Sequence, residues 1–158
     1  SISAIVGKKK IMKNFDKIFF STTFGGETLS LVAALTTIKY IQKENVINKI
    51  KKFSNKLIRD IKKIIYNLNL NKTFVIEGVW WRPAFGVCKG VNRLYLEVLR
   101  KNLIKNKLLI GNSFNFCYAH TNINTYKEII TRIETSLKQT SKTKLGINNY
   151  VKKNSVRS

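Results

Sequence analysis

FFSTTFGGETLS, residues 19–30, is the stretch on which the reading of this 158-residue chain turns. Three hydroxyl residues, Ser21, Thr22 and Thr23, run into Phe24 and two adjacent glycines, Gly25 and Gly26. Adjacent glycines let backbone N–H groups approach a ligand closely, and hydroxyls add donors. Glu27 then opens a helix expected to run to about Lys43, and a helix N-terminus favours an anion. A phosphate suits such a loop. A plain tight turn before a helix explains the same local residues equally well. The spacing fits neither a P-loop, GxxxxGK[ST], nor a dinucleotide fingerprint, GxGxxG.

Upstream, Ile2 to Gly7 is a short apolar run ending in glycine, the pattern of a buried strand. A basic helical stretch follows from Lys8 to Phe15, and Ile18-Phe19-Phe20 is a second apolar run. The helix after Glu27 carries Leu29, Leu31, Val32, Ala33, Ala34 and Leu35, apolar nearly all round, so burial is expected. The next segment is amphipathic. Ile47, Ile50, Phe53, Leu57, Ile58, Ile61, Ile64, Ile65 and Leu68 recur at helical spacing, with Lys and Asn on the other face.

Beyond Asn69, Asn71 and Lys72 the period changes. Phe74 to Val79 and Arg82 to Val87 read as strands, with Gly78 at a bulge or bend and Pro83 confining its strand to an edge or end. Val91 to Asn106 reads as a helix. Leu108 to Ile110 and Phe114 to Tyr118 read as short strands. A last helix has Tyr126, Ile129, Ile130, Ile133 and Leu137 on its apolar face, with Asn122 or Thr125 as its N-cap. From Gln139 the chain turns polar, and a frayed tail is expected.

The formal net charge is +22 at pH 7, from 30 Lys+Arg against 8 Asp+Glu. That balance raises the possibility of a basic nucleic-acid-binding domain. The make-up of the charge favours another cause. Lys (24), Asn (17) and Ile (20) are abundant while Arg numbers 6. Lys, Asn and Ile share A/T-rich codons. A phosphate reader would instead keep Arg for its bidentate geometry. Nucleic acid is therefore not expected as a partner. No apolar run approaches the roughly 20 residues of a membrane helix, and no secretory leader is visible, so a cytoplasmic location without membrane contact is expected. The length suits one domain or the end of a larger one.

No catalytic constellation stands out. Trp80 and Trp81 beside Arg82 could stack on a base, but alternation along a strand favours one Trp in the core and one at its margin. His120, the single histidine, reads as a helix-start residue satisfied by local hydrogen bonds. Cys88 and Cys117 read as small buried hydrophobes. With one His and two Cys no metal site is expected.

Residues 2–7 and 19–30, then Trp81-Arg82-Pro83, Gly111-Asn112-Ser113-Phe114-Asn115 and Tyr118-Ala119-His120-Thr121, resemble class III pyridoxal-phosphate aminotransferases, in the branch similar to glutamate-1-semialdehyde 2,1-aminomutase. The resemblance runs from Ser1 to about Lys138. It implies an α/β chain: the C-terminal portion of a fold-type I PLP-dependent transferase, comprising the end of the large domain plus a small α+β C-terminal domain. The implied divisions are 1–45 for the end of the PLP-binding domain, 46–70 for a connecting helix, 71–140 for the small domain and 141–158 for a disordered tail. It implies pyridoxal 5'-phosphate as cofactor, a homodimer, and a small amino or oxo substrate. The activity implied is amino transfer between a donor and a carbonyl acceptor, or the intramolecular transfer of an aminomutase. The Schiff-base lysine of that family falls upstream of Ser1, so this stretch holds no catalytic residue and is expected to be inactive alone. Thr23 matches the threonine that binds the cofactor phosphate of the neighbouring subunit, with the Phe24, Gly25 and Gly26 backbone shaping the contact. Many relatives place a carboxylate-binding arginine on the segment matching 114–118. Asn115-Phe116-Cys117 stands there, which leans towards the aminomutase-like branch.

Overall fold

A computed structural model describes residues 3–19, 23 and 26–143. The chain divides into two compact units, Ser1–Val46 and Ile47–Ser158.

In the first unit, α1 (Lys9–Met12) continues into a 3-10 turn, Lys13–Lys17. After the glycine loop comes α2 (Thr28–Lys43). Residues 3–7 form exposed irregular backbone, not the expected strand. A strand needs a partner for its ladder, and the strands found among the described residues pair only with each other, in the second unit. The expected burial of α2 also fails. None of its residues is buried, and Leu29 is 77% exposed. No described residue before Val46 is buried, so no apolar face among the described residues of this unit covers the helix. Asn45, in the left-handed region at φ 49°, ends this unit's chain path, a conformation Asn tolerates better than most residues.

The second unit is built on α3 (Val46–Asn67). Phe53, Leu57, Ile61 and Ile65, four apart, are all buried and form one stripe. Asn69 at φ 55° closes the helix: its N–H bonds the Tyr66 carbonyl at 2.9 Å, and the Leu70 N–H bonds Ile65 at 2.9 Å. That pair is a Schellman cap, and the buried Leu70 supplies its apolar contact.

Strands β1 (Phe74–Val79) and β2 (Arg82–Val87) pair antiparallel, from Phe74 opposite Val87 to Val79 opposite Arg82. Trp80 and Trp81 are therefore the two-residue turn and not strand residues. Trp81 is exposed and its ring meets Trp80 edge-on at 5.3 Å. Gly78, at φ 90°, lies opposite Pro83. Phe74 and Ile76, two apart, point into the core.

Helix α4 (Leu94–Lys105) buries Tyr95, Leu99 and Leu103. It ends in a second Schellman cap, with Lys107 at φ 59° and the Leu108 N–H bonding Leu103 at 2.8 Å. Helix α5 (Ile123–Lys142) starts at Asn122, whose side chain accepts from the Asn124 N–H at 2.8 Å. It buries Tyr126, Ile133 and Leu137.

Residues 108–110 and 114–117 are not strands. The Phe114 N–H does donate to the Pro83 carbonyl at 2.8 Å, but Pro83 has no N–H to return the bond, so the ladder stops there. The expected fraying from Gln139 also fails: Thr140 is buried, and its Oγ1 accepts from Asn102 Nδ2 at 2.9 Å and donates to the Ser136 carbonyl at 2.8 Å. Asn106 Nδ2 reaches Ser136 Oγ and Gln139 Oε1, each at 2.9 Å. This polar seam binds the end of α5 to α4. The rest of the expected tail, residues 144–158, lies outside the described residues.

Candidate functional site

The glycine loop sits in the first unit. Thr23 occupies a turn and is exposed, so its hydroxyl is open to a ligand. Phe24 and Gly25 lie outside the described residues. Gly26 is also exposed, and a Cβ built on it would meet nothing within 4 Å. Backbone there can be approached closely.

Glu27 changes the anion argument. It is the N-cap of α2, not a first-turn acid. Its carboxylate accepts from the Leu29 N–H at 2.6 Å and the Ser30 N–H at 2.7 Å. The Ser30 hydroxyl first, then these two amides, hold the Glu27 carboxyl below its ordinary range. The helix N-terminus therefore already has its anion. A phosphate at this loop has Thr23 and the loop backbone to draw on, and not the first-turn amides of α2. An acid at the start of the helix signals a favourable interaction with its dipole, but Glu is not a usual N-cap, so the cap itself was not legible.

In the second unit, two guanidinium groups grip the loop after α4. Arg82 Nε donates to Ser113 Oγ at 3.1 Å, and Arg100 Nη2 donates to Asn112 Oδ1 at 3.1 Å. Nothing in the linear sequence signals either pairing. Asn115 is exposed, while Phe116 packs edge-on against Phe53 at 5.4 Å. A cavity of about 130 Å³ is lined by Ile110, Ser113, Phe116, His120 and Ile129 among others.

His120 has the local bond expected of it: the Cys117 N–H donates to His120 Nδ1 at 3.0 Å. Its ring stacks on Phe53 at 6.5 Å. Cys117 is exposed and Cys88 half-buried, so neither is the buried hydrophobe expected. Both lie on irregular chain just beyond strand or helix ends, where alternation no longer sets burial. Among the described residues no group of three or more His, Cys, Asp or Glu could hold a metal ion. No described helix is long and apolar enough to cross a membrane.

No family model matches the chain. It is 25% identical over 130 residues to the 3-aminobutyryl-CoA aminotransferase of Cloacimonas acidaminovorans, covering 77% of this chain and 30% of that protein. It is 26% identical over 120 residues to the glutamate-1-semialdehyde 2,1-aminomutase of Saccharolobus islandicus, covering 69% of this chain and 28% of that protein. The chain thus spans less than a third of the length of the curated relatives it matches. Among solved structures, it superposes on the FumI protein of Sphingopyxis sp. MTA144 in its PLP internal aldimine form. The TM-score is 0.77 at 11% identity, over 87% of this chain and 33% of that one. The fold is the α/β fold of one third of that PLP protein. The resemblance to class III pyridoxal-phosphate aminotransferases and the aminomutase branch, read from residues 2–7, 19–30, 81–83, 111–115 and 118–121, is borne out by these relatives.

Proposed function

We propose that this chain is the C-terminal third of a pyridoxal-phosphate-dependent aminotransferase or aminomutase of class III. One observation carries the reading: the same stretch that matches amino-transferring enzymes in sequence also superposes on a PLP protein over 87% of its length. Residues 1–45 close the cofactor domain, 46–70 connect, and 71–140 form the small domain. The protein works as a cytoplasmic homodimer on a small amino or oxo substrate.

The residues present fit the cofactor as a single contact. Thr23 offers an exposed hydroxyl that can donate to the phosphate, and the open space at Gly26 lets the loop backbone approach it. Because Glu27 takes the amides of Leu29 and Ser30, this contact orients the phosphate more than it neutralises it. Bound pyridoxal phosphate supplies an electron sink for the bond broken at the amino carbon. The lysine that holds it belongs to sequence N-terminal to Ile2. This part of the enzyme supplies one wall of the substrate pocket. Within the second unit Arg82 and Arg100 fix the 112–113 turn. Asn115 in place of a carboxylate-binding arginine favours the aminomutase-like branch.

The test is the reading frame upstream of Ser1, expressed with and without Thr23→Ala. A lysine a short distance upstream of Ser1 is expected, and the variant should retain less pyridoxal phosphate after gel filtration. An upstream frame without that lysine, or amino transfer by the 158 residues alone, overturns the reading.

A further inference from the structure

We propose that Cys117 is a modification site: a nucleophilic thiol that reacts with small disulfides and carries the adduct at the edge of the cavity beside His120. The chain has two cysteines, both free, and their sulfurs have opposite hydrogen-bonding roles. Cys88 is half-buried, and its S–H donates to the Asn71 carbonyl at 3.5 Å. That bond needs the proton on sulfur. Cys117 is exposed, and its sulfur has donors as neighbours.

Two groups of His120 supply them. Its backbone N–H, which bonds the Cys117 carbonyl at 3.1 Å, also donates to Cys117 Sγ. Its ring nitrogen Nε2 lies 3.9 Å from the same sulfur. The other ring nitrogen sets the tautomer. Nδ1 accepts from the Cys117 N–H at 3.0 Å, so in the neutral imidazole the proton is on Nε2, beside Cys117 Sγ. Phe53 stacks on this ring, with the planes 22° apart, and steadies it. Donors beside a sulfur favour it when it is negative, and the negative form is the one that attacks.

Space for the adduct lies alongside. The cavity of about 130 Å³ is lined by Phe116 and His120, one on either side of Cys117 in the chain, together with Ile110 and Ile129. It admits a small group and not a peptide. In the reaction the Cys117 sulfur attacks one sulfur of the disulfide. A new S–S bond forms as the old one breaks. The departing half leaves as a thiolate and takes up, through water, the proton that Cys117 gave up. Cys117 is oxidised and the departing half reduced, so the disulfide is the sole oxidant.

Dithiodipyridine, a neutral disulfide, tests this on the 158-residue chain, with the released thiopyridone followed by absorbance. Cys88→Ser and Cys117→Ser isolate each thiol, and each is timed in the folded chain and in the chain unfolded by urea. Cys117 is expected to react faster folded than unfolded, and Cys88 slower. Exposure alone gives Cys117 no more than its unfolded rate. His120→Phe, in the Cys88→Ser chain, keeps an aromatic ring against Phe53 and removes the ring donor. It should slow folded Cys117 by about fivefold. Folded Cys117 reacting no faster than unfolded Cys117 overturns the proposal. So does an unchanged Cys117 rate in His120→Phe. A folded-state gain shared by Cys88 reflects the net charge of the whole chain and overturns it as well.

Discussion

The phenol of Tyr126 on α5 donates a hydrogen bond to the carboxylate of Asp60 on α3. The two residues are 66 positions apart, and Lys56 lies over the same phenol ring while pairing with the same carboxylate. The three side chains join the amphipathic helix to the last helix at the edge of the core.

This cluster makes acid stability depend on Asp60. The Tyr126 hydrogen bond first, then Lys56, holds its carboxyl below the ordinary range, against the opposing effect of burial. A group depressed in the fold stabilises it above the unfolded value, near 4, and that contribution is lost as pH falls through the lower folded value. Tyr126→Phe should cost about 1 kcal/mol at neutral pH, since the pair is partly solvated. It should also flatten the acid limb of a stability-against-pH curve from urea melts. An unchanged acid limb means Asp60 does not titrate with folding.

Glu27 predicts a local effect in the first unit. Its carboxyl is also depressed, by Ser30 and then by the Leu29 amide. The cap is present above the ordinary carboxylate range and lost as pH falls through the depressed value. In Glu27→Ala the amides of Leu29 and Ser30 should exchange with deuterium faster. In the unaltered chain the same two amides should lose protection first on acidification.

Core and surface leucines should separate by an order of magnitude. Leu57 is 0% exposed in the α3 stripe and Leu29 is 77% exposed on α2. Leu57→Ala should cost about 3 kcal/mol in denaturant unfolding of the second unit. Leu29→Ala should stay within about 0.5 kcal/mol. Comparable costs would mean that α2 buries its face in solution.

Gly78 and Gly26 make a matched pair. A Cβ on Gly78, at φ 90°, would lie 2.7 Å from the Arg82 carbonyl oxygen, a backbone atom that cannot step aside. Gly78→Ala should cost about 2 kcal/mol or more and loosen the hairpin. Gly26→Ala, with open space around it, should leave the urea midpoint close to that of the unaltered chain.

Helical periodicity alone determined α3 and the apolar face of α5, because apolar spacing is a property of the chain. The two strands were legible from their β-branched and aromatic residues, but their turn was not: alternation put Trp80 and Trp81 on a strand, and only the pairing of β1 with β2 makes them the turn. Thr23 was legible as an accessible loop hydroxyl, since hydroxyls and glycines before a helix define that environment locally.

What failed depended on neighbours. Residues 3–7 are strand-like in composition yet unpaired, and α2 is apolar yet uncovered, because burial belongs to the partner as much as to the segment. The strand expected from Phe114 stops at its one bond to Pro83, a distant proline that cannot return it. Thr140 looked like the start of a tail, and Asn102 of α4 made it part of the core. The Lys56–Asp60–Tyr126 cluster and the grip of Arg82 and Arg100 on the 112–113 turn arise only when the helices pack. Sequence spacing sets which residues share a face, and tertiary contact alone decides what that face meets.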